Sequence, residues 1–254
     1  MSVFVIAEAG VNHGGDFETA LKLCQAAKDS MADAVKFQLF ESRKLWSDDR
    51  IAHLELSMVR MKEIRGYCNS IGIEFMCSPF GLEELLWLKP LVKRMKIPSG
   101  LMTNHEMLQA CGLMPVLLST GMSTNDEVQQ ALYRIDGEVT ILQCTSSYPC
   151  RIEDVNLLAM AEMGRQFDKP FGLSDHTSGI TAALGAVALG ATVIEKHLTL
   201  NRNEEGPDHL SSITPKEFKA MCMAIYEVGL ALGSPEKRVL SSEEFLRKAW
   251  RAKS

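Results

Sequence analysis

The sequence predicts a (β/α)8 TIM barrel with a C-terminal helical extension, and three observations carry that expectation. Short apolar runs alternate with longer amphipathic ones along the chain, giving eight strand patterns each followed by a helical one. The turn after the first strand, Gly10-Val11-Asn12-His13-Gly14-Gly15, has glycines but lacks the G-x-G-x-x-G spacing that a doubly wound sheet normally carries there. Polar residues within the apolar strand runs gather at their carboxyl ends, where barrels of this kind keep their active sites.

In chain order, strands are expected over residues 3–7, 34–38, 73–77, 92–97, 115–119, 139–144, 170–174 and 192–197. Helices are expected over 16–28, 57–70, 82–89, 105–111, 126–134, 154–165, 179–189 and 215–232. Thr214-Pro215-Lys216-Glu217 supplies an N-cap, a proline at the first helical position and a returning carboxylate. Thr103 with Glu106 and Thr124 with Glu127 repeat that capping-box spacing. Residues 41–52 form a longer, charged connection that reads as a lid. The barrel is expected to occupy residues 1–232. Residues 233–254 form an extension whose Ser241-x-x-Glu244 spacing starts a short helix carrying Phe245, Leu246, Ala249 and Trp250.

Composition removes several classes. With 254 residues, 46% of them apolar, the chain suits one α/β domain. A net charge of −5 without any basic block offers nucleic acid no electrostatic footprint. The opening apolar run is cut short by Glu8, so it reads as a first strand and not a signal peptide. The longest mostly apolar stretch, 180–194, is too short to span a bilayer. Seven scattered cysteines without C-x-x-C spacing read as reduced, buried core filling, which places the protein in the cytoplasm.

Barrel strands are buried on both faces, so each polar residue inside one needs a reason. Glu8 closes the first strand, Lys36 and Gln38 the second, and Ser78 follows the third. Lys96 and Ser99 follow the fourth, Ser119 and Thr120 the fifth, and Thr145 and Ser146 the sixth. Ser174 and His176 end the seventh, and Glu195 and His197 the eighth. Side chains alternate along a strand, so Ser174 shares a face with His176, and Glu195 with His197. Two imidazoles at one barrel mouth suit a borderline divalent metal, Mn2+, Fe2+ or Zn2+, with positions left open for substrate. Two separately hydrogen-bonded histidines are the plainer alternative. Lys36 and Lys96 are costly to bury without an anion. A phosphate or carboxylate would pair them, helped by Ser78, Ser99 and Ser174; ion pairs with Glu8 or Glu195 are the alternative. His13 and His209 are weaker candidates, and His53 and His105 read as surface or helix residues.

A run of motifs resembles the N-acetylneuraminate (sialic acid) synthase family. Residues 7–15 (AEAGVNHGG), 34–38 (AVKFQ), 96–100 (KIPSG), 118–122 (LSTGM), 172–177 (GLSDHT), 194–199 (IEKHLT) and 206–209 (GPDH) match in order over nearly the whole chain. The resemblance implies condensation of phosphoenolpyruvate with an open-chain N-acetylated hexose, N-acetylmannosamine or a relative, to a nine-carbon 2-keto acid and phosphate. It implies a divalent metal, Mn2+ first among candidates, held by His176 and His197. It places phosphoenolpyruvate on Lys36, Ser78, Lys96, Ser99 and Ser174, and the sugar near Glu8, Tyr148 and Asp208. Glu8, Lys36, Lys96, His176 and His197 are the expected catalytic set, with Ser146 lining the substrate site. The chain departs from the family pattern at Leu101, where Glu is usual, at Gln143, where His is frequent, and at Ser146, where Asn is common. Leu101 implies a changed acceptor preference. The family carries a C-terminal antifreeze-like domain that reaches across a dimer. The barrel is therefore expected to form a homodimer or to take a separately encoded small domain. A related metal-dependent aldol or condensing enzyme on another acceptor is the alternative activity, and a non-catalytic barrel binding a ligand or partner is the alternative class.

Overall fold

Alternation along each strand sends side chains into two environments, and the fold fills both with different chemistry. The computed structural model describes residues 3–46 and 51–251. In order, the elements are β1 (Phe4–Gly10), α1 (Phe17–Asp29), β2 (Ala34–Leu39), α2 (Ser42–Trp46), α3 (Met58–Ile71), β3 (Glu74–Pro79), α4 (Leu82–Leu88), β4 (Met95–Ile97), α5 (His105–Cys111) and β5 (Val116–Ser119). They continue with α6 (Asn125–Leu132), β6 (Val139–Cys144), α7 (Leu157–Phe167), β7 (Phe171–Asp175), α8 (Thr181–Ala188), β8 (Val193–His197), α9 (Pro215–Leu232) and α10 (Glu244–Arg251).

The eight strands are all parallel and ladder in the order β3-β2-β1-β8-β7-β6-β5-β4. No ladder joins β3 to β4 among the described residues, but the two strands lie against each other and bring the sheet round into a nearly closed ring. This is the expected (β/α)8 architecture. Strand register explains its two cores. Ile6, Ala34, Met76, Leu117, Leu142 and Val193 face inward and plug the amino-terminal half of the barrel. Residues of the opposite parity, such as Val35, Phe37, Ile97, Leu118, Ile141 and Ile194, meet the helices in an outer shell. Two residues beyond the plug, the same inward parity presents Glu8, Lys36, Ser78, Ser119, Cys144, Ser174 and Glu195.

Element ends follow local chemistry. Asp16 caps α1, Ser57 caps α3, and Thr124–Glu127 and Thr214–Glu217 form the expected capping boxes. Thr103 does not cap α5. Asn104, one residue on, accepts from Met107 N at 3.2 Å, a side-chain amide winning over a hydroxyl a residue too early. β4 spans three residues instead of the expected six, because Val92 N is drawn to Leu88 O at the end of α4. Of the connection at 41–52, α2 is ordered from Ser42 to Trp46, and residues 47–50 lie outside the described residues.

The last helix does not fold back onto the barrel. Every residue from 231 to 251 is exposed, with Phe245 at 79% and Trp250 at 78%. Ser241 does not cap it, since a single 3-10 turn precedes the helix and Glu243 accepts from Leu240 N at 2.8 Å. Among the described residues no helix is long and apolar enough to cross a membrane.

Met76 is fully buried in the inner plug. Met76→Ala is expected to cost about 2–5 kcal/mol, read as a lowered urea midpoint, whereas Leu113→Ala at an exposed turn should leave the midpoint unmoved.

Candidate active site at the carboxyl ends of the strands

At the carboxyl ends of the strands the inward-facing polar residues surround one cavity of about 400 Å3. Its floor is a chain of buried charges. Lys36 Nζ lies 2.7 Å from Glu8 Oε2, 3.7 Å from Glu195 Oε2 and 3.0 Å from Ser78 Oγ. Lys96 Nζ, on the far side of the ring, reaches Glu195 Oε1 at 3.0 Å, and Ser174 Oγ donates to the same oxygen at 3.0 Å. All four charged side chains are 5% exposed or less.

The two carboxyl groups are held in opposite states. Burial raises Glu8 to about 7, with Lys36 opposing the shift and Glu195 adding to it. Burial also works against ionised Glu195, but Lys36, Lys96 and the hydrogen bonds from Lys96 and Ser174 overcome it and hold that group near 2. Lys36 stays charged because Glu195 and Glu8 outweigh its desolvation. With one carboxyl held firmly ionised and the other drawn toward its neutral form, the two lysines are left short of counter-charge, which favours an anion.

The rest of the wall comes from loops. The backbone N–H of Gly121 donates to Ser99 Oγ at 3.0 Å. A Cβ at Gly121 would collide with Ser146 Oγ and lie 2.8 Å from Ser99 Oγ, so only glycine brings the two hydroxyls together. At the close of β1 a bulge between Glu8 and Gly10 turns the chain, with Gly10 at a φ of 51°. A side chain there would press on the Asp208 carboxylate at 3.1 Å.

The two histidines meet as parity requires, with ring centroids 5.4 Å apart and the Tyr148 ring 4.2 Å from His176 and 5.9 Å from His197. His176 Nδ1 lies 2.8 Å from the carbonyl of Thr145, a bond that assigns the proton to Nδ1 and the lone pair to Nε2. Burial disfavours charge on His176, but Cys144, the Thr145 carbonyl and Glu195 raise it above the usual range. Burial, then His176 and Lys36, push His197 well below it and keep that ring neutral. His197 Nδ1 is buried without a hydrogen-bond partner and lies 3.7 Å from Asp208 Oδ2. Two convergent imidazoles, one oriented by a carbonyl and one with an orphaned nitrogen, fit the donor set of a divalent ion that takes its remaining ligands from water or substrate. Among the described residues no third His, Cys, Asp or Glu completes a closed metal cage.

The expected site residues thus come together. Glu8, Lys36, Ser78, Lys96, Ser99, Ser146, Tyr148, Ser174, His176 and His197 line the cavity. Asp208 lies just beyond that lining, its Oδ2 3.7 Å from His197 Nδ1 and its carboxyl raised to about 6 by burial. Leu101, next to the lining residue Gly100, packs half-buried against the outer core. His13 is buried beside Phe37, with Nδ1 accepting from Gly15 N at 2.9 Å. His209 pairs with Thr199 Oγ1 at 2.8 Å. Both serve loop structure. Cys144 is a site residue that composition hides among core thiols. It lines the cavity, 3.9 Å from His176 Nδ1, and only its position two residues after Leu142 signals the inward face.

A parallel eight-stranded barrel whose strand ends converge lysines, carboxylates and a histidine pair on one cavity defines a barrel enzyme. The NeuB family profile matches residues 23–237. The chain is similar to the N,N'-diacetyllegionaminic acid synthase of Legionella pneumophila, with 40% identity over 96% of this chain and 77% of that protein. It is 36% identical to the N-acetylneuraminate-9-phosphate synthase of Mus musculus, over 94% of this chain and 74% of the relative. The crystal structure of the N-acetylneuraminic acid (sialic acid) synthetase of Leptospira borgpetersenii superposes with a TM-score of 0.92 at 31% identity, covering 99% of this chain and 92% of that one. The chain belongs to the NeuB family of sialic acid synthase-like enzymes.

The raised Glu8 makes a signed prediction. A carboxyl lifted from 4.5 to about 7 binds its proton more tightly in the folded protein, so its contribution to stability is full at low pH and is lost as pH rises through that window. In Glu8→Gln the urea midpoint should fall less over the same window than in the wild type. Equal slopes would assign the titration elsewhere.

Proposed function

We propose that this barrel condenses phosphoenolpyruvate with an N-acetylated hexose, N-acetylmannosamine or a relative, to give a nine-carbon 2-keto sugar acid and phosphate. The observation that carries the reading is the convergence of buried Lys36 and Lys96, both reaching Glu195, on the cavity beside the histidine pair. Phosphoenolpyruvate carries two anionic groups, and the two ammonium groups with Ser78, Ser99 and Ser174 supply matching donors. Relatives named for legionaminic and neuraminic acids support an amino sugar as the acceptor.

The chemistry follows from placement. The lysines and hydroxyls orient the enol so that its C3 faces the open-chain aldehyde carbon, and a C–C bond forms there. Glu8, poised near pH 7, holds or gives a proton at the aldehyde oxygen. Water then adds at C2, the C2–O bond breaks, and phosphate leaves onto the lysines. His176 and His197 would hold Mn2+, which when bound polarises the acceptor carbonyl as a Lewis acid. Tyr148, its ring 4.2 Å from that of His176 and about half exposed, meets the sugar at the mouth of the cavity.

We further propose that the chain works as a homodimer in which the exposed face of α10, Phe245, Leu246 and Trp250, is covered by a second copy. A separately encoded small domain is the competing occupant. The seven cysteines are free and buried, which fits a cytoplasmic, reducing setting.

Phosphate release from phosphoenolpyruvate, measured over a panel of N-acetylated hexosamines with Mn2+, is expected with at least one acceptor; silence across the panel overturns the reading. Chelation should abolish release and Mn2+ should restore it. An oxygen label at C2 of phosphoenolpyruvate should leave in phosphate, and its retention in the sugar acid would reject C–O cleavage. Lys36→Met strands buried carboxyl groups and should cost about 3–5 kcal/mol, with phosphate release lost. Light scattering should give a dimer for residues 1–254 and a monomer after truncation at Gly233; a monomer in both forms rejects the dimer.

A further inference from the structure

A second buried ion pair lies immediately outside the cavity and has no part in the chemistry above. Lys196 is completely buried, and its Nζ lies 2.9 Å from Asp175 Oδ2. It also donates to the carbonyl of Thr177 and, at 3.3 Å, to Thr177 Oγ1. The other oxygen of Asp175, Oδ1, accepts from Thr177 N at 2.8 Å. All three ammonium hydrogens thus have acceptors, and both carboxylate oxygens have donors. Neither residue lines the cavity.

Position gives the pair its meaning. Asp175 immediately precedes His176 and Lys196 immediately precedes His197. The two are register partners across β7 and β8. Alternation turns them outward where the histidines turn inward. A fully buried pair of this kind is seldom worth more than well-packed apolar residues of the same volume, so stability alone does not account for it. What it does supply is geometry: it ties together the ends of two strands and the turn after the first, at the residues that carry the imidazoles.

We propose that Asp175 and Lys196 are positioning residues that set the spacing and orientation of His176 and His197, and through them the affinity for a divalent metal. The proposal rests on the reading of those histidines as metal ligands. The test is Mn2+ binding, followed by the electron paramagnetic resonance of the free ion, beside thermal melting of the same preparations. The wild type should bind Mn2+, and His176→Ala with His197→Ala should abolish that binding. The double variant Asp175→Leu with Lys196→Met removes both charges and leaves no buried ion unpaired. It should melt near the wild type yet bind Mn2+ about 10–100-fold more weakly, the usual effect of losing an outer-shell partner. Asp175→Asn, which keeps the shape, should weaken binding in the same direction. If only one of the two variants folds, that one decides. Wild-type affinity in a folded variant, with or without a lowered melting temperature, overturns the positioning role and leaves the metal reading intact. A wild type that binds no Mn2+ overturns both.

Discussion

Glu195 is the constraint on which the site depends. It is the one carboxylate that both lysines share, at 3.0 Å from Lys96 and 3.7 Å from Lys36, and Ser174 donates to it as well. Two ammonium groups buried in a barrel need at least one firm counter-charge to stay charged. With Glu195 held near 2 and Glu8 lifted to about 7, the floor gives its lysines one firm counter-charge without neutralising both. The same four groups therefore satisfy two demands that usually conflict, a foldable interior and an attraction for anions. The apolar plug below them, Ile6 and Met76 among its members, removes water from one side and strengthens each of these interactions.

Much of this was legible from period and parity. A strand that is apolar on both faces and turns polar only at its end reads as a barrel strand with a working mouth, and all eight such strands are present. Parity correctly paired Ser174 with His176 and Glu195 with His197, because strand alternation leaves no other choice. What remained hidden depended on partners distant in sequence. Lys36 and Lys96 read first as anion binders, with ion pairs to Glu8 or Glu195 as the alternative. The fold has the ion pairs, and the opposite states of the two carboxyl groups leave the lysines short of counter-charge.

Leu101 stands next to a cavity residue, Gly100, and the 3-10 turn at Ser99–Leu101 lets its side chain pack against the outer core. Cys144 looked like filling because thiols usually are filling, and its inward phase was the only contrary sign. Asp175 and Lys196 were overshadowed by the histidines beside them, since an outward-facing charge on a barrel strand gives no hint in sequence that it is sealed under helices. At α5 the choice between Thr103 and Asn104 turned on a single residue of phase.

One further consequence follows from the open join between β3 and β4. Lys96 sits on a three-residue strand that ladders only to β5, and its tie to Glu195 crosses the ring to β8. The ion pair thus acts as a spoke, bracing the least-stitched part of the rim against the opposite wall.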